Sequence, residues 1–496
     1  MSTFESNAIL LGKAYGRLLG YTGPSNVWVC APPRTRKTWG IVFPTLLTYT
    51  SSVVVNDLRG ECYEMTAGFR GRPRHRGGMG QRVLYYNPAS QATHRHNPLD
   101  EIRLGVTEVK DTRNFVDMLI DPEAIKEQRD HWDHAVSPAL TAATLHVLYA
   151  KPTRQHNPEG VAYFLADATR NIRESLEEMK ATNHLGDRPH PVIASMAQEL
   201  LQKSPNDMSG VISTAMDYIG VYRDPLLAYL TKTSDFRLKD LQFGPVPVSL
   251  YLMIPPSDLS GTRPVVRVFL NQLTSLLMEE YHAPGRRELL QIFDEFNSLR
   301  KVDFLGERLA YMAGYKMRSL IIHQSVPQLW TTWGRDEPIT ATCDVKVMFT
   351  ASDRVTAEAC ADLVTKTTEM RKQYGFTGDR WSPFFQRRSA SGMEVERPLL
   401  TAEEMLLFPL DKCAIFPMGH PRIQADKLDF VRERWLQERC LPPLPCVMPY
   451  EEPEEAPEVP ATPEEPAAPA APLDAGTPPA RQASPSADDI DMRYVL

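Results

Sequence analysis

Three short apolar runs, each ending in a different polar group, constrain this chain more than any other feature. NVWVC (26–30) leads into the loop Ala31-Pro32-Pro33-Arg34-Thr35-Arg36-Lys37-Thr38, LLQIF (289–293) leads into Asp294-Glu295, and SLIIH (319–323) leads into Gln324. A basic loop between a buried strand and a helix is where backbone N–H groups and the helix N-terminus cradle phosphates. In such a loop a Lys reaches the β- and γ-phosphates and a hydroxyl serves Mg²⁺. Lys37 and Thr38 supply those two groups, while Ala31 and Arg36 stand where the GxxxxGK[ST] pattern has glycines. Asp294 is suited to hold the Mg²⁺ through water, Glu295 to polarise an attacking water, and Gln324 to sense the γ-phosphate. Taken singly, the loop reads equally as an ordinary basic turn, and Asp-Glu after apolar residues is common. Three strand ends in this order point instead to one ATP and Mg²⁺ site at the carboxyl edge of a parallel sheet.

The surrounding sequence fits that sheet. SVVVND ends at Asp57, RVLYYN covers 82–87, VPVSLYLMI covers 246–254, and DVKVMFTA (344–351) and KCAIFPMG (412–419) follow. Between about 106 and 225 the period changes to 3.6: DTRNFVDMLI, SPALTAATLHVLYA, GVAYFLADATRNIRESLEEMK and PVIASMAQELLQK all read as helix. The expected organisation is a discontinuous α/β domain over 1–105 and 226–445, an all-α insertion over 106–225, and a disordered Pro-, Ala- and Glu-rich tail over 446–496.

The net charge of -7 belongs to that tail. Residues 447–496 hold eleven acidic and two basic side chains, leaving 53 basic against 51 acidic in the rest. Any nucleic-acid contact must therefore be local. Seven dispersed cysteines without CxxC spacing read as reduced intracellular thiols. No run of about 20 uninterrupted apolar residues is present, so a membrane-spanning segment is not expected.

The residues also carry a resemblance. APPRTRKTWGIVFPTLL resembles the stretch of the TraG/TraD-type coupling proteins of type IV secretion that reads A-P-T-R-S-G-K-G, then a glycine and a Pro-Thr-Leu-Leu. SSVVVNDLRGECYEMTAGFR is similar to that family's second strand and D-x-K-G-E turn, through Asp57, Arg59, Gly60 and Glu61. HNPL, HWDHAVSPALTAATLHVL, VSLYLMIPPSDL, LQIFDEFNSL, AGYKMRSLIIHQSVPQL and RPLLTAEEMLLFPLDKCAIFPMG follow in family order, over roughly 8–435. The resemblance implies a RecA-like P-loop nucleotide-binding domain with an inserted all-α domain, working as a homo-hexamer. It implies ATP and Mg²⁺ as cofactors, and DNA or a relaxase–DNA complex and inner-membrane secretion components as partners. The chain departs from the family in two places: it lacks the usual pair of N-terminal transmembrane helices, and Arg36 replaces the glycine before the P-loop lysine. Without those helices it is expected in the cytoplasm, peripheral to the inner membrane through partners.

Other features admit sharper and plainer readings. Arg70, Arg72, Arg74 and Arg76, with Arg82, form a concentrated basic stretch that suits phosphate-backbone contact or a solvated loop. Asp130, His131, Asp133 and His134 are either a metal cluster or the polar start of a helix. Lys316 or Arg318 is a candidate for acting on a neighbour's nucleotide, and Ile490 to Leu496 could be a docking peptide. Three functions follow: an ATP-driven translocase that recruits and drives DNA, nucleoprotein or protein; a non-hydrolysing recruitment protein with a degenerate P-loop; or a helicase-like ATPase outside secretion.

Overall fold

A computed structural model describes residues 6–120, 131–363, 366–377 and 387–443, with backbone alone for 131–134, 259–260, 303, 366–377 and 387–398. The apolar runs build one sheet of eleven strands. They are β1 (Ile9–Ala14), β2 (Arg17–Tyr21), β3 (Asn26–Cys30), β4 (Ser52–Asn56), β5 (Arg82–Tyr86), β6 (Val248–Leu252), β7 (Leu289–Phe293), β8 (Met317–His323), β9 (Cys343–Met348), β12 (Lys412–Pro417) and β13 (Ile423–Asp426). A separate antiparallel pair, β10 (Lys366–Thr377) and β11 (Arg387–Pro398), makes a hairpin. The order in the large sheet is β2-β1-β13-β12-β9-β3-β8-β7-β4-β6-β5. From β9 to β5 every pairing is parallel. Strands β3, β4, β6, β7 and β8 are buried along their whole length. That is the environment of a parallel sheet covered on both faces, and it is why they read as continuous apolar runs without alternation.

The strands that end in the singled-out residues are consecutive neighbours: β3, β8, β7 and β4. Their registers pair Cys30 with His323, Phe293 with Ile321 and Asn56 with Phe293, so their carboxyl ends line one edge.

The antiparallel extension was not expected from the sequence beyond β12. In β1 the apolar run is cut by Gly12 and Lys13, and its pairing with β2 slips between Leu10 and Gly12. Gly12 has φ 151°, and a Cβ there would stand 2.7 Å from the Asp426 carbonyl. Only glycine lets the strand pass so close to β13.

Between β5 and β6 the described residues contain helices and no strand. Helices Glu108–Ile120, His131–Ala150, Pro191–Gln202 and Pro205–Ile219 pack around Phe115, Leu119, Leu140, Ala143, Ile193, Ala197, Val211 and Ala215, all buried. Several begin with a capping side chain followed by proline: Asn157-Pro158, His190-Pro191, Ser204-Pro205 and Asp224-Pro225. GVAYFLADATRNIRESLEEMK is two helices, Pro158–Leu165 and Ile172–Ala181. Asn171 starts the second by accepting from the Arg173 N–H. After the phosphate-loop sequence the chain forms a π-turn over Thr38–Val42 and an α-turn over Phe43–Leu46. π-turns of this kind are frequent at functional sites.

Candidate functional site

The carboxyl edge of the parallel strands opens into a cleft of about 930 Å³ whose lining includes Arg34, Arg36, Lys37, Thr38, Asp57, Asp294, Glu295 and Gln324. The five residues given chemical roles are joined by direct hydrogen bonds. Thr38 Oγ1 donates to Asp294 Oδ2 at 2.8 Å. Lys37 Nζ donates to Glu295 Oε2 at 3.1 Å and to the Asp294 carbonyl at 3.0 Å. Gln324 Nε2 donates to the same Glu295 Oε2 at 2.6 Å. A sixth residue, Gln328, closes the group: its Nε2 lies 3.4 Å from Glu295 Oε1 and its Oε1 accepts from the Gln324 N–H. Gln328 sits one turn into a helix capped by Ser325 (Val326–Trp333), four residues after Gln324, and that spacing was the available signal for it.

The metal-binding reading of Thr38 and Asp294 can be tested on one atom. Asp294 borders the cleft, yet its Oδ1 is sealed from solvent and has no hydrogen-bond partner. A buried carboxylate oxygen without a partner is costly unless a cation or bound water completes it. Burial pushes the Asp294 pKa up, against the opposing pull of Lys37 and the Thr38 hydrogen bond. The donor set of one carboxylate and one hydroxyl suits Mg²⁺, which keeps most of its waters.

Asp57, the residue after β4, also lines the cleft and accepts from the Tyr63 N–H at 2.8 Å. Desolvation raises its pKa to about 7, the N–H groups of the following turn oppose this, and the Asp294 charge adds to it. The cleft therefore has a carboxyl group that titrates near neutral pH.

The loop itself departs from a plain basic turn. Arg34 and Arg36 have φ 64° and 62°, the left-handed region that favours glycine. Ala31 N–H donates to the His323 carbonyl at 2.9 Å, tying the loop's start to the end of β8. Arg36 also lines the cleft, and its guanidinium donates to Asp429 Oδ2 at 3.2 Å. Nothing local in the sequence signals Asp429, which is 393 residues away.

The basic stretch divides. Arg72, Arg74 and Arg76 are exposed, but Arg70 is fully buried and cannot reach a phosphate backbone. Its guanidinium donates to Ser249 Oγ and to the carbonyls of Leu46, Tyr49 and Ser51, holding three elements together. Arg82 is engaged with Asp240 and the Asp235 carbonyl. Arg318 is likewise buried, donating to the Gly23 and Asn7 carbonyls, so it does not serve a neighbouring subunit. Lys316 precedes β8, at the opposite edge from the cleft, and donates to the Arg286 carbonyl. Asp130, the side chains of His131, Asp133 and His134, and the tail from 444 lie outside the described residues. No helix among the described residues is long and apolar enough to cross a membrane.

Comparison with known proteins bears on the family and the fold. The family described as "Type IV secretory system Conjugative DNA transfer" matches residues 4–447. The conjugal transfer protein TraG of Escherichia coli is 34% identical over 456 residues, covering 86% of this chain and 71% of that protein. Protein VirD4 of Agrobacterium fabrum is 25% identical over 430 residues, covering 82% of this chain and 59% of that protein. Among solved structures, the bacterial conjugative coupling protein TrwB has the same fold with a TM-score of 0.58 at 16% identity, covering 86% of this chain and 90% of that one. The same protein in complex with ADP and Mg²⁺ gives 0.59, at 16% identity and with the same coverage.

Proposed function

The chain belongs to the type IV secretory system conjugative DNA transfer family, and on that premise we propose that it is a coupling-protein ATPase that recruits DNA, nucleoprotein or protein and drives it into a secretion or conjugation machine. The observation that carries the ATPase reading is the joined set Lys37, Thr38, Asp294, Glu295 and Gln324, with Asp294 Oδ1 left for a cation-bound water.

In this arrangement Lys37 is spanned between Glu295 and the Asp294 carbonyl. The γ-phosphate of ATP competes for the ammonium, and its arrival frees Glu295. Glu295, still held by Gln324 and Gln328, then accepts a proton from the attacking water as the β–γ bond breaks. Thr38 and Asp294 would hold Mg²⁺, which would supply charge neutralisation for the phosphates. The segment 106–225 is the substrate-facing all-α domain in this reading, and Arg72, Arg74 and Arg76 are candidate phosphate-backbone contacts. Six copies around a channel are the expected working form.

A second reading, a recruitment protein that does not hydrolyse ATP, is favoured by Ala31 and Arg36 at the two glycine positions. ATP turnover by the purified chain, with and without single-stranded DNA and beside Glu295→Gln, separates the two. Turnover that the Gln variant abolishes supports the motor. Lys37-dependent binding without turnover supports the recruiter.

A further inference from the structure

After β13 the chain folds back onto the phosphate-binding loop, and four successive residues touch it. Lys427 Nζ lies 3.5 Å from the Thr35 carbonyl and 3.6 Å over the Phe349 ring. A Cβ on Gly40 would meet the Leu428 carbonyl at 3.2 Å. Asp429 Oδ2 accepts from Arg36 at 3.2 Å. The Phe430 ring stands edge-on to Trp39 and Phe43, with centroids 5.9 and 5.7 Å apart. The end of the loop (Thr35, Arg36) and the helical turns after it (Trp39, Gly40, Phe43) are thus braced by residues 427–430.

Arg36 is the position where bracing matters most. Its backbone has the left-handed conformation that glycine adopts without cost and an L-residue does not. Relaxation of that backbone would turn the N–H groups of the loop away from the phosphates, and an unanchored guanidinium could swing into the space the phosphates need. Asp429 is itself oriented before it meets Arg36: its Oδ1 accepts from the Val431 N–H at 3.1 Å, and its Oδ2 also lies 3.3 Å from Arg432 Nε.

We propose that Asp429 is a positioning residue for the phosphate-binding loop. It draws the Arg36 guanidinium out of the cradle and holds Arg36 left-handed, so that a charge pair does what glycine does in the usual loop. The inference rests on the reading of the cleft as a nucleotide site. It also accounts for a loop that has lost its glycine while Lys37, Thr38, Asp294, Glu295 and Gln324 remain joined. Because the pair faces solvent, with the Arg36 side chain 64% exposed, its effect is modest and set by geometry more than by charge.

A cycle of Asp429→Asn, Arg36→Gly and the double variant tests it, using titration with a fluorescent ATP analogue and Mg²⁺ at one salt concentration. Asp429→Asn should weaken binding roughly two- to fivefold, whereas the double variant should match Arg36→Gly alone. Unchanged or tighter binding by Asp429→Asn overturns the proposal, as does an equal loss with Arg36 and with glycine at that position. Lys37→Ala reports separately on the nucleotide site. If the native chain shows no Lys37-dependent binding, that reading fails alone, and amide hydrogen exchange over residues 31–40 tests the brace. Asp429→Asn should then speed exchange only while Arg36 is present; equal rates in both backgrounds overturn it.

Discussion

Lys37 and Glu295 share one hydrogen bond, yet their removal should have opposite consequences. Lys37→Ala takes away the only ammonium that reaches across Asp294 and Glu295 among the described residues, so nucleotide affinity should fall by about 100-fold or more in a binding titration. Glu295→Gln keeps a side chain of the same size for Gln324 and Gln328 while losing the proton acceptor. Affinity should hold, and turnover should drop by about 100-fold or more. Asp57 carries a pH signature. Its ordinary value is 3.8 and its folded value about 7. Between those values the folded chain keeps a proton that the unfolded chain releases, so this group's contribution is full at low pH and is lost as pH rises through 7. Asp57→Asn is neutral throughout. It should be more stable than the native chain at pH 8, by on the order of a few kcal/mol in denaturant unfolding, with the gap narrowing as pH falls below 7 and closing near 3.8. A gap that is constant with pH would refute the assignment.

At the scale of elements, helix Glu61–Gly71 separates two kinds of arginine that look alike in sequence. Cys62, Thr66 and Arg70 recur every fourth residue and form its buried face. The spacing was there to be read, but the run of arginines after Arg70 masks it. Arg70→Ala removes the side-chain donor to the buried carbonyls of Leu46 and Tyr49, and one of the two donors to that of Ser51, and should cost roughly 3 kcal/mol or more in thermal or denaturant unfolding. Arg72→Ala and Arg76→Ala should leave stability unchanged. If these side chains contact DNA, each should instead lower the slope of log affinity against log salt by about 1. A stability loss from Arg72→Ala, or none from Arg70→Ala, would reverse the division.

For the whole molecule, the cleft lies at one edge of the sheet and is open to solvent. A ring of copies, as family membership leads us to propose, would bring a neighbour's surface to it. ATP turnover per chain should then rise with protein concentration, and more steeply in the presence of single-stranded DNA. A flat profile from a species shown to be monomeric by light scattering would count against the ring.

The sequence by itself determined the strands that carry chemistry, because a strand buried on both faces must be a continuous apolar run and its functional residues must follow the last apolar position. It also determined many helix starts, through capping side chains followed by proline. The grouping of Lys37, Thr38, Asp294, Glu295 and Gln324 could be expected from their common place at strand ends. Only the tertiary structure decided which basic residues are free, since Arg70 and Arg318 find their carbonyl partners on elements far away in the chain. It alone brought β1 against β13 through Lys13 and Asp426, and Asp429 against Arg36. Contacts of this kind depend on sheet register across some 400 residues of chain, and neither partner carries a local pattern that announces the other.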